Sequence, residues 1–116
     1  MSRLGWLALG AAAIAGAFIL AGADAWQTWV FLFLPDIGLI AGMSSGLEKG
    51  QLHPRAVPLY NALHRPVGPI VLALASLVIG IDWFAGALAW IAHIAIDRAL
   101  GYRLRDRNGF IRASGS

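Results

Sequence analysis

The sequence predicts an all-α membrane protein, a four-transmembrane-helix bundle with both termini in the cytoplasm. Hydrophobic residues make up 59% of the 116 residues and charged residues only 13%, whereas soluble domains carry about 25% charge. The apolar residues fall in long runs, and a membrane-spanning helix needs about 20 of them. All lysines and arginines lie on one side of four such runs. A chain of this length, 1–116, has room for one domain.

The first segment, residues 4–23, carries no charge between Arg3 and Asp24. It is long enough to cross a bilayer. The alternative is a secretory signal peptide, because "ADA" at 23–25 resembles a cleavage site. The apolar part of a signal peptide has only about 7–15 residues, and this run is longer. We therefore predict a retained transmembrane helix.

The second segment, residues 26–43, is interrupted by a proline. Pro35 has no N–H to offer to the carbonyl of Phe31, four residues earlier. Neighbouring helices can satisfy such a carbonyl inside a membrane, so proline is tolerated there. The sequence predicts a helix that kinks between Phe31 and Pro35.

Two further segments follow a polar loop. Residues 44–58 are punctuated by glycine and proline, as loops are. The third segment is predicted over 60–81, and "LYNALHR" near its start is either a short interfacial helix or the first part of the span. The fourth segment covers 83–101. The basic cytoplasmic tail, 102–116, is predicted to fray at its end.

The positive charges orient these four segments. The opposite short loops carry only Asp24 and Asp82. The positive-inside rule then places both termini and the polar loop 44–58, the central loop, in the cytoplasm. The composition, rich in alanine, glycine and arginine, suggests a multi-pass protein of a bacterial inner membrane. Aromatic residues concentrate at membrane surfaces, and the outer surface is marked by Trp26, Trp29 and Trp83. The predicted membrane anchor consists of Arg98, Arg103, Arg105 and Arg107.

Small residues predict close helix contacts on the first two segments. Such faces let helices approach within a bilayer, and they also fit the contacts of a homo-oligomer. The residues concerned are Ala8, Ala12, Gly16, Gly38 and Gly42. The lipid bilayer is the main predicted partner. Nucleic acid is not predicted, because the arginines gather at membrane edges and form no separate basic domain. The absence of cysteine excludes disulfides and thiolate metal sites.

Five polar residues are predicted to share one intramembrane core. With a rise of about 1.5 Å per residue, Asp36 and His93 lie about 15 Å from the outer surface and Asp97 about 21 Å. Asn61 and His64 belong to the cytoplasmic end of the third segment. The pair His93 and Asp97 shares a helix face, as does the pair Asn61 and His64. Ionisable residues inside membranes face the bundle interior and pair with one another.

Three motifs resemble a known family. They are "LPD" at 34–36, "YNxxH" at 60–64 and "AHxxxDRxxGY" at 92–102. In order and spacing they are similar to the domain of unknown function 4260 family, over roughly residues 30–105. The resemblance implies a small four-helix integral membrane protein of bacteria, and it implies no particular reaction.

The polar core permits three functions. The first is structural or an interaction role, because hydrogen bonds between polar side chains hold membrane helices together. The second is a metal-dependent, hydrolase-like enzyme, in which His64, His93, Asp97 and Asp36 offer nitrogen and oxygen ligands for Zn²⁺ or Fe²⁺. Asp36 is then a fourth ligand or a general base, and Asn61 is a further candidate catalytic residue. The third is a proton or small-solute path in an oligomer, since Asp/His chains form proton relays. The structural role is the favoured prediction.

Overall fold

The computed structural model describes residues 1–112 and is built from α-helices, as predicted. Within this range no β-strand forms, and the one isolated β-bridge joins Arg105 and Ile111. The last residues of the predicted frayed tail, 113–116, lie outside the described residues. The helices are α1 (Arg3–Ala21), α2 (Trp26–Phe33), α3 (Ile37–Ala41), α4 (Val57–Leu63), α5 (Val67–Ile79) and α6 (Ile81–Leu100).

Helix α6 is the centre of the fold, and α1, α2 and α5 each pack along it. Its buried surface is made largely of alanine, which allows backbones to approach closely. The fully buried alanines of α6 are Ala85, Ala87, Ala89, Ala92 and Ala95. Gly10 of α1 lies against this surface, since a Cβ on it would meet the Ala92 carbonyl at 3.4 Å. Small residues of α6 therefore set the spacing of its neighbours.

The small-residue faces lie differently from the predicted ones. On α1 the buried face is Gly10, Ala13 and Ala17, whereas Ala8 and Ala12 are exposed and Gly16 is half-buried. Residues three or four apart share a helix face, so α1 has more than one face of small residues. The face that packs on α6 is the one that starts at Gly10.

Gly38 and Gly42 are buried inside the chain. A Cβ on Gly38 would meet the backbone of Tyr60 at 3.1 Å, and one on Gly42 would overlap the Leu52 side chain. This face is therefore covered by the chain's own α4 and central loop. A homo-oligomer that uses the other face, on α1, stays a prediction.

Pro35 breaks the second segment. Helix α2 ends at Phe33, a 3₁₀ turn covers Leu34–Asp36, and α3 resumes at Ile37. The missing N–H of proline explains the break, which lies at the predicted kink. Asp36 thus sits at a helix interruption rather than inside a regular helix.

The third segment is divided rather than continuous. Helices α4 and α5 meet at 44°, because Pro66 precedes α5 and its ring opposes a straight continuation. Of the described helices, Arg3–Ala21 alone is long and apolar enough to cross a membrane, and the bent pair Pro54–Leu63 and Val67–Ile79 adds a second if it counts as one span. Such evidence is compatible with a membrane protein and also with a buried or signal helix.

The two ends of the helix bundle differ in their side chains, aromatic at one end and basic at the other. At one end, the aromatic end, Trp26 and Trp83 pack edge to face with ring centroids 5.2 Å apart. At the other, the basic end, Arg3 at the start of α1 lies beside Gly101 at the end of α6.

The chain after α6 folds back on the central loop at the basic end. The amide of Leu52 donates to the Gly109 carbonyl at 2.8 Å, and the amide of Arg112 donates to the Leu104 carbonyl at 2.9 Å. We call residues 104–112 and their contacts with the central loop the tail clasp. Its turn needs Gly109, whose φ of +97° is disfavoured for residues with a Cβ.

Candidate metal site

Four ionisable side chains meet at the basic end of the fold. Asp36 comes from the proline turn, His64 from the end of α4, and His93 and Asp97 from successive turns of α6. One ligand atom from each lies within 4.8 Å of the others. Residues distant in sequence are brought together because α2 and the α4–α5 segment both pack against the fourth segment. The four residues predicted from the sequence as metal ligands therefore form a single cluster.

Each histidine ring is held by a main-chain carbonyl. His93 Nδ1 lies 2.7 Å from the Leu32 carbonyl, and His64 Nδ1 lies 2.8 Å from the Tyr60 carbonyl. A carbonyl only accepts, so we assign the ring proton to Nδ1 in both residues. In the neutral ring, Nε2 then carries a lone pair. This arrangement is common among metal-binding histidines, whose second nitrogen donates to a carbonyl or carboxylate.

Both Nε2 atoms face the two carboxylates. Asp97 Oδ2 lies 3.0 Å from His64 Nε2 and 3.2 Å from His93 Nε2. Asp36 Oδ1 lies 3.1 Å from His93 Nε2 and 3.7 Å from His64 Nε2. Ligands at about 2.0–2.1 Å from a tetrahedral zinc ion are about 3.3 Å apart. The four nitrogen–oxygen distances therefore surround the value that a shared zinc ion would impose.

His64 Nε2 is a buried polar atom without a hydrogen-bond partner among residues 1–112. The Asp97 oxygen lies 3.0 Å away, but with the ring proton on Nδ1 both atoms are acceptors and cannot bond to each other. A buried polar atom without a partner is costly. A cation placed between the nitrogen and the carboxylates would satisfy it, so the donor set fits a divalent metal.

Asp36 differs from the other three residues in exposure. Its side chain is 46% exposed, compared with 19% for Asp97, and both histidines are buried. His64, His93 and Asp97 thus form an enclosed three-residue unit, and Asp36 closes it on the open side. Catalytic zinc sites use three protein ligands and keep one position open.

The motifs that contribute this cluster also identify the family. The family described as domain of unknown function DUF4260 matches residues 2–114. The chain belongs to the DUF4260 family. The resemblance carried by the three motifs is thereby confirmed, and it extends beyond residues 30–105 to nearly the whole chain. No curated protein and no solved structure matches the chain significantly.

Asn61 does not join the cluster of this DUF4260 protein. Its Nδ2 donates to the Arg105 carbonyl at 2.9 Å, and its Oδ1 accepts from the Arg105 amide at 2.7 Å. The expectation that Asn61 belongs to the shared polar core is therefore wrong. The predicted shared face of Asn61 and His64 is not observed: Asn61 binds the backbone of Arg105 in the tail clasp, whereas His64, which follows the last residue of α4, faces Asp97 of α6.

Arg105 also departs from its predicted role. It is 7% exposed, and its Nη1 donates to the carbonyls of Gly50 at 2.9 Å and Gly109 at 2.8 Å. A guanidinium held in this way cannot extend to lipid headgroups, so its assignment as a membrane anchor is corrected. Arg107 is exposed and Arg103 half-buried. The guanidinium of Arg98 lies 6.0 Å from the Trp6 ring centroid.

A cavity of about 410 Å³ opens beside the cluster. Its lining includes two members of the cluster, Asp36 and Asp97, together with Tyr60, Tyr102 and Arg105. Sequence reasoning missed this cavity and the part played in it by Arg105. Arg105 is held near the cluster because its backbone pairs with Asn61. No local sequence pattern predicts that pairing.

Proposed function

We propose that this DUF4260 protein is an integral membrane protein that holds a divalent transition metal, Zn²⁺ or Fe²⁺, through His64, His93 and Asp97, with Asp36 beside the ion on the open side. The observation that carries the proposal is the convergence of two Nε2 lone pairs on two carboxylates, with both Nδ1 atoms held by carbonyls. Nitrogen and oxygen ligands suit both metals.

The distribution of apolar surface supports the membrane part of the proposal. Large hydrophobic side chains are strongly exposed on α5, where Leu77 is 82% and Val78 is 90% exposed. The interior instead contains alanine and polar groups such as His93. Water disfavours a contiguous apolar surface of this extent, whereas lipid favours it.

We further propose four membrane segments with both termini in the cytoplasm. The chain places its basic residues at one end of the fold and Trp26 and Trp83 at the other. The positive-inside rule then puts the basic end, and with it the metal site, at the cytoplasmic leaflet.

The proposed chemistry is metal-dependent hydrolysis. A zinc or ferrous ion supplies Lewis acidity that activates water or polarises an ester. His64, His93 and Asp97 would hold the ion, and their burial would exclude bulk water from its inner side. Asp36, the exposed member, would act as general base towards the cavity.

A structural cross-link is the second candidate. His93 Nε2 lies at hydrogen-bonding distance, 3.1 Å, from Asp36 Oδ1. For this nitrogen to donate while Nδ1 also donates to Leu32, the ring must be an imidazolium. Two such rings opposite two carboxylates would be neutral overall and would join three segments without a metal.

Metal content separates these candidates. The protein is purified in detergent, stripped with a chelator, reloaded with Zn²⁺ and measured by elemental analysis. We expect about one zinc per chain in the wild type and in His53→Ala, because His53 accepts a hydrogen bond from the Arg55 amide outside the cluster. His93→Ala should lose the zinc. A wild type that binds no zinc or iron would contradict the proposal, and lower thermal stability of His93→Ala would then favour the cross-link.

A further inference from the structure

The cavity beside the metal site has the chemistry of an anion site. We propose that it binds a phosphate-type oxyanion, with Arg105 as the protein anchor at one side and the metal site at the other. This inference rests on the proposed metal function and names the substrate class of the same site. Both walls of the cavity are fixed by the fold, because Asp36 and Asp97 belong to the cluster and Arg105 to the tail clasp.

Arg105 is preorganised and retains an unused donor. Its Nη1 is occupied by two carbonyls, and its guanidinium carbon lies 4.9 Å from the Tyr60 ring centroid. The Nε atom is buried and has no hydrogen-bond partner among residues 1–112. A donor left without a partner in a buried position is costly, and a shift of the guanidinium towards the cavity on binding would let a ligand oxygen satisfy it.

The charge of Arg105 is also without a carboxylate partner in the part of the chain that the structure describes. Asp36 and Asp97, the carboxylates that line the cavity, pair with His64 and His93 instead. Buried charges are normally paired, because removing an ion from water is expensive. An anionic ligand would supply the missing counter-ion.

Charge balance makes anion binding depend on the metal. Two carboxylates and a divalent ion are neutral together, so the metal-loaded site leaves the positive charge of Arg105 facing the cavity. Without the metal, and with both histidine rings neutral, the same carboxylates outnumber Arg105 and would repel an anion. Phosphate groups suit a guanidinium because they accept parallel N–H donors.

The phosphate group can come from two sources. A soluble phosphate ester could enter from the cytoplasm, or a phospholipid headgroup could enter from the adjacent leaflet of the proposed bilayer. The recognised chemistry is the same in both cases, namely phosphate oxygens between Arg105 and the metal site. The cavity volume of about 410 Å³ accommodates a headgroup-sized molecule.

The test measures phosphate binding separately from metal binding. Zinc-loaded protein is titrated with inorganic phosphate by calorimetry, and zinc content is measured in the same samples. Arg105→Gln should weaken phosphate binding about ten- to a hundredfold, the range for losing a hydrogen bond to a charged group. Arg107→Gln removes the same charge from an exposed position of the tail clasp and should leave the affinity unchanged. Both variants should keep their zinc.

A second variant guards against misfolding. Arg105→Lys preserves the charge but removes Nε and the planar fork, so it should weaken phosphate binding less than Arg105→Gln while retaining zinc. Equal phosphate affinity in zinc-loaded wild type and Arg105→Lys would overturn the inference and leave the metal proposal standing. Failure of the wild type to bind metal would overturn both. Equal phosphate affinity with and without zinc would remove the metal from the inference and so overturn it.

Two further arms identify the source of the phosphate. Zinc-loaded protein in detergent is titrated with a soluble phosphate monoester, and protein in nanodiscs is compared in phosphatidylcholine with and without phosphatidic acid. Binding of the soluble ester supports a cytoplasmic substrate. Competition against inorganic phosphate by phosphatidic acid supports a lipid headgroup. If neither competes with inorganic phosphate at the Arg105 site, the proposed substrate class is wrong.

Discussion

The aromatic end and the basic end of the fold are held together by different forces. At the aromatic end, ring contacts join neighbouring helices, such as Trp26 with Trp83 at 5.2 Å and Phe18 with Trp29 at 5.5 Å. At the basic end, directed hydrogen bonds join α4, the central loop and the tail clasp.

The difference indicates where the molecule needs geometric accuracy. Ring contacts tolerate sliding and change of angle, because each pair is worth only about 0.5–1.5 kcal/mol over a broad range of geometries. Hydrogen bonds at fixed angles hold side chains to fractions of an ångström. The basic end carries the cluster and the cavity, so these directional hydrogen bonds lie beside the site.

The largest expected effect is on the tail clasp. In Gly109→Ala, the new Cβ would overlap the Leu52 carbonyl oxygen and would also sit at a positive φ. We expect a loss of about 3–5 kcal/mol from steric overlap and backbone strain together. Denaturant unfolding in detergent measures the loss, and trypsin should cleave at Arg107 faster than in the wild type.

Gly46→Ala is the matched control for that experiment. Gly46 has a φ of +83° but no atom near the position of its Cβ. It therefore isolates the cost of backbone conformation, about 1–2 kcal/mol. If both variants lose the same stability, the clasp is not under the steric constraint described here.

A smaller effect is expected where α4 meets the clasp. Asn61→Ala removes the side chain that bonds both the backbone amide and the backbone carbonyl of Arg105. Leaving two buried groups unsatisfied should cost about 2–3 kcal/mol. Thermal unfolding of the variant, compared with Asn108→Ala at an exposed position of the same clasp, checks the value. An unchanged melting temperature for Asn61→Ala would show that water replaces the lost bonds.

The smallest effect is expected at the aromatic end. Trp83→Ala loses two ring contacts, with Trp26 and Phe31, and should cost about 1–3 kcal/mol. Trp83→Phe retains a ring and should recover much of the loss. Zinc content should stay at the wild-type level in both variants. Loss of zinc in Trp83→Ala would contradict the separation of the two ends.

The sequence predicts the helices and the members of the cluster better than their connections. Pro35 marks a break because it lacks an N–H, and His93 and Asp97 share a face because they are one helical turn apart. Those features are local. The roles predicted for Asn61 and Arg105 were wrong because the two residues pair with each other across 44 residues of sequence. Short-range periodicity contains no information about such a pairing.

The role of the polar cluster depends on long-range contacts in the same way, and the structural role favoured from the sequence stays a prediction. From sequence, histidines and aspartates in a membrane segment are compatible with hydrogen-bonded glue, a proton path or a metal site. Which nitrogen of each ring faces the carboxylates depends on the carbonyls of Leu32 and Tyr60. The sequence does not specify those contacts until the turn at Pro35 and the end of α4 are placed in space.

The central position of α6 has a consequence for biosynthesis. The ribosome makes α1, α2 and α5 before the one helix against which all three pack. These earlier helices therefore lack their shared packing partner until residues 81–100 have emerged. The cluster waits equally long, since its last member is residue 97 of 116. A product truncated before α6 would therefore be a set of helices without their common packing surface.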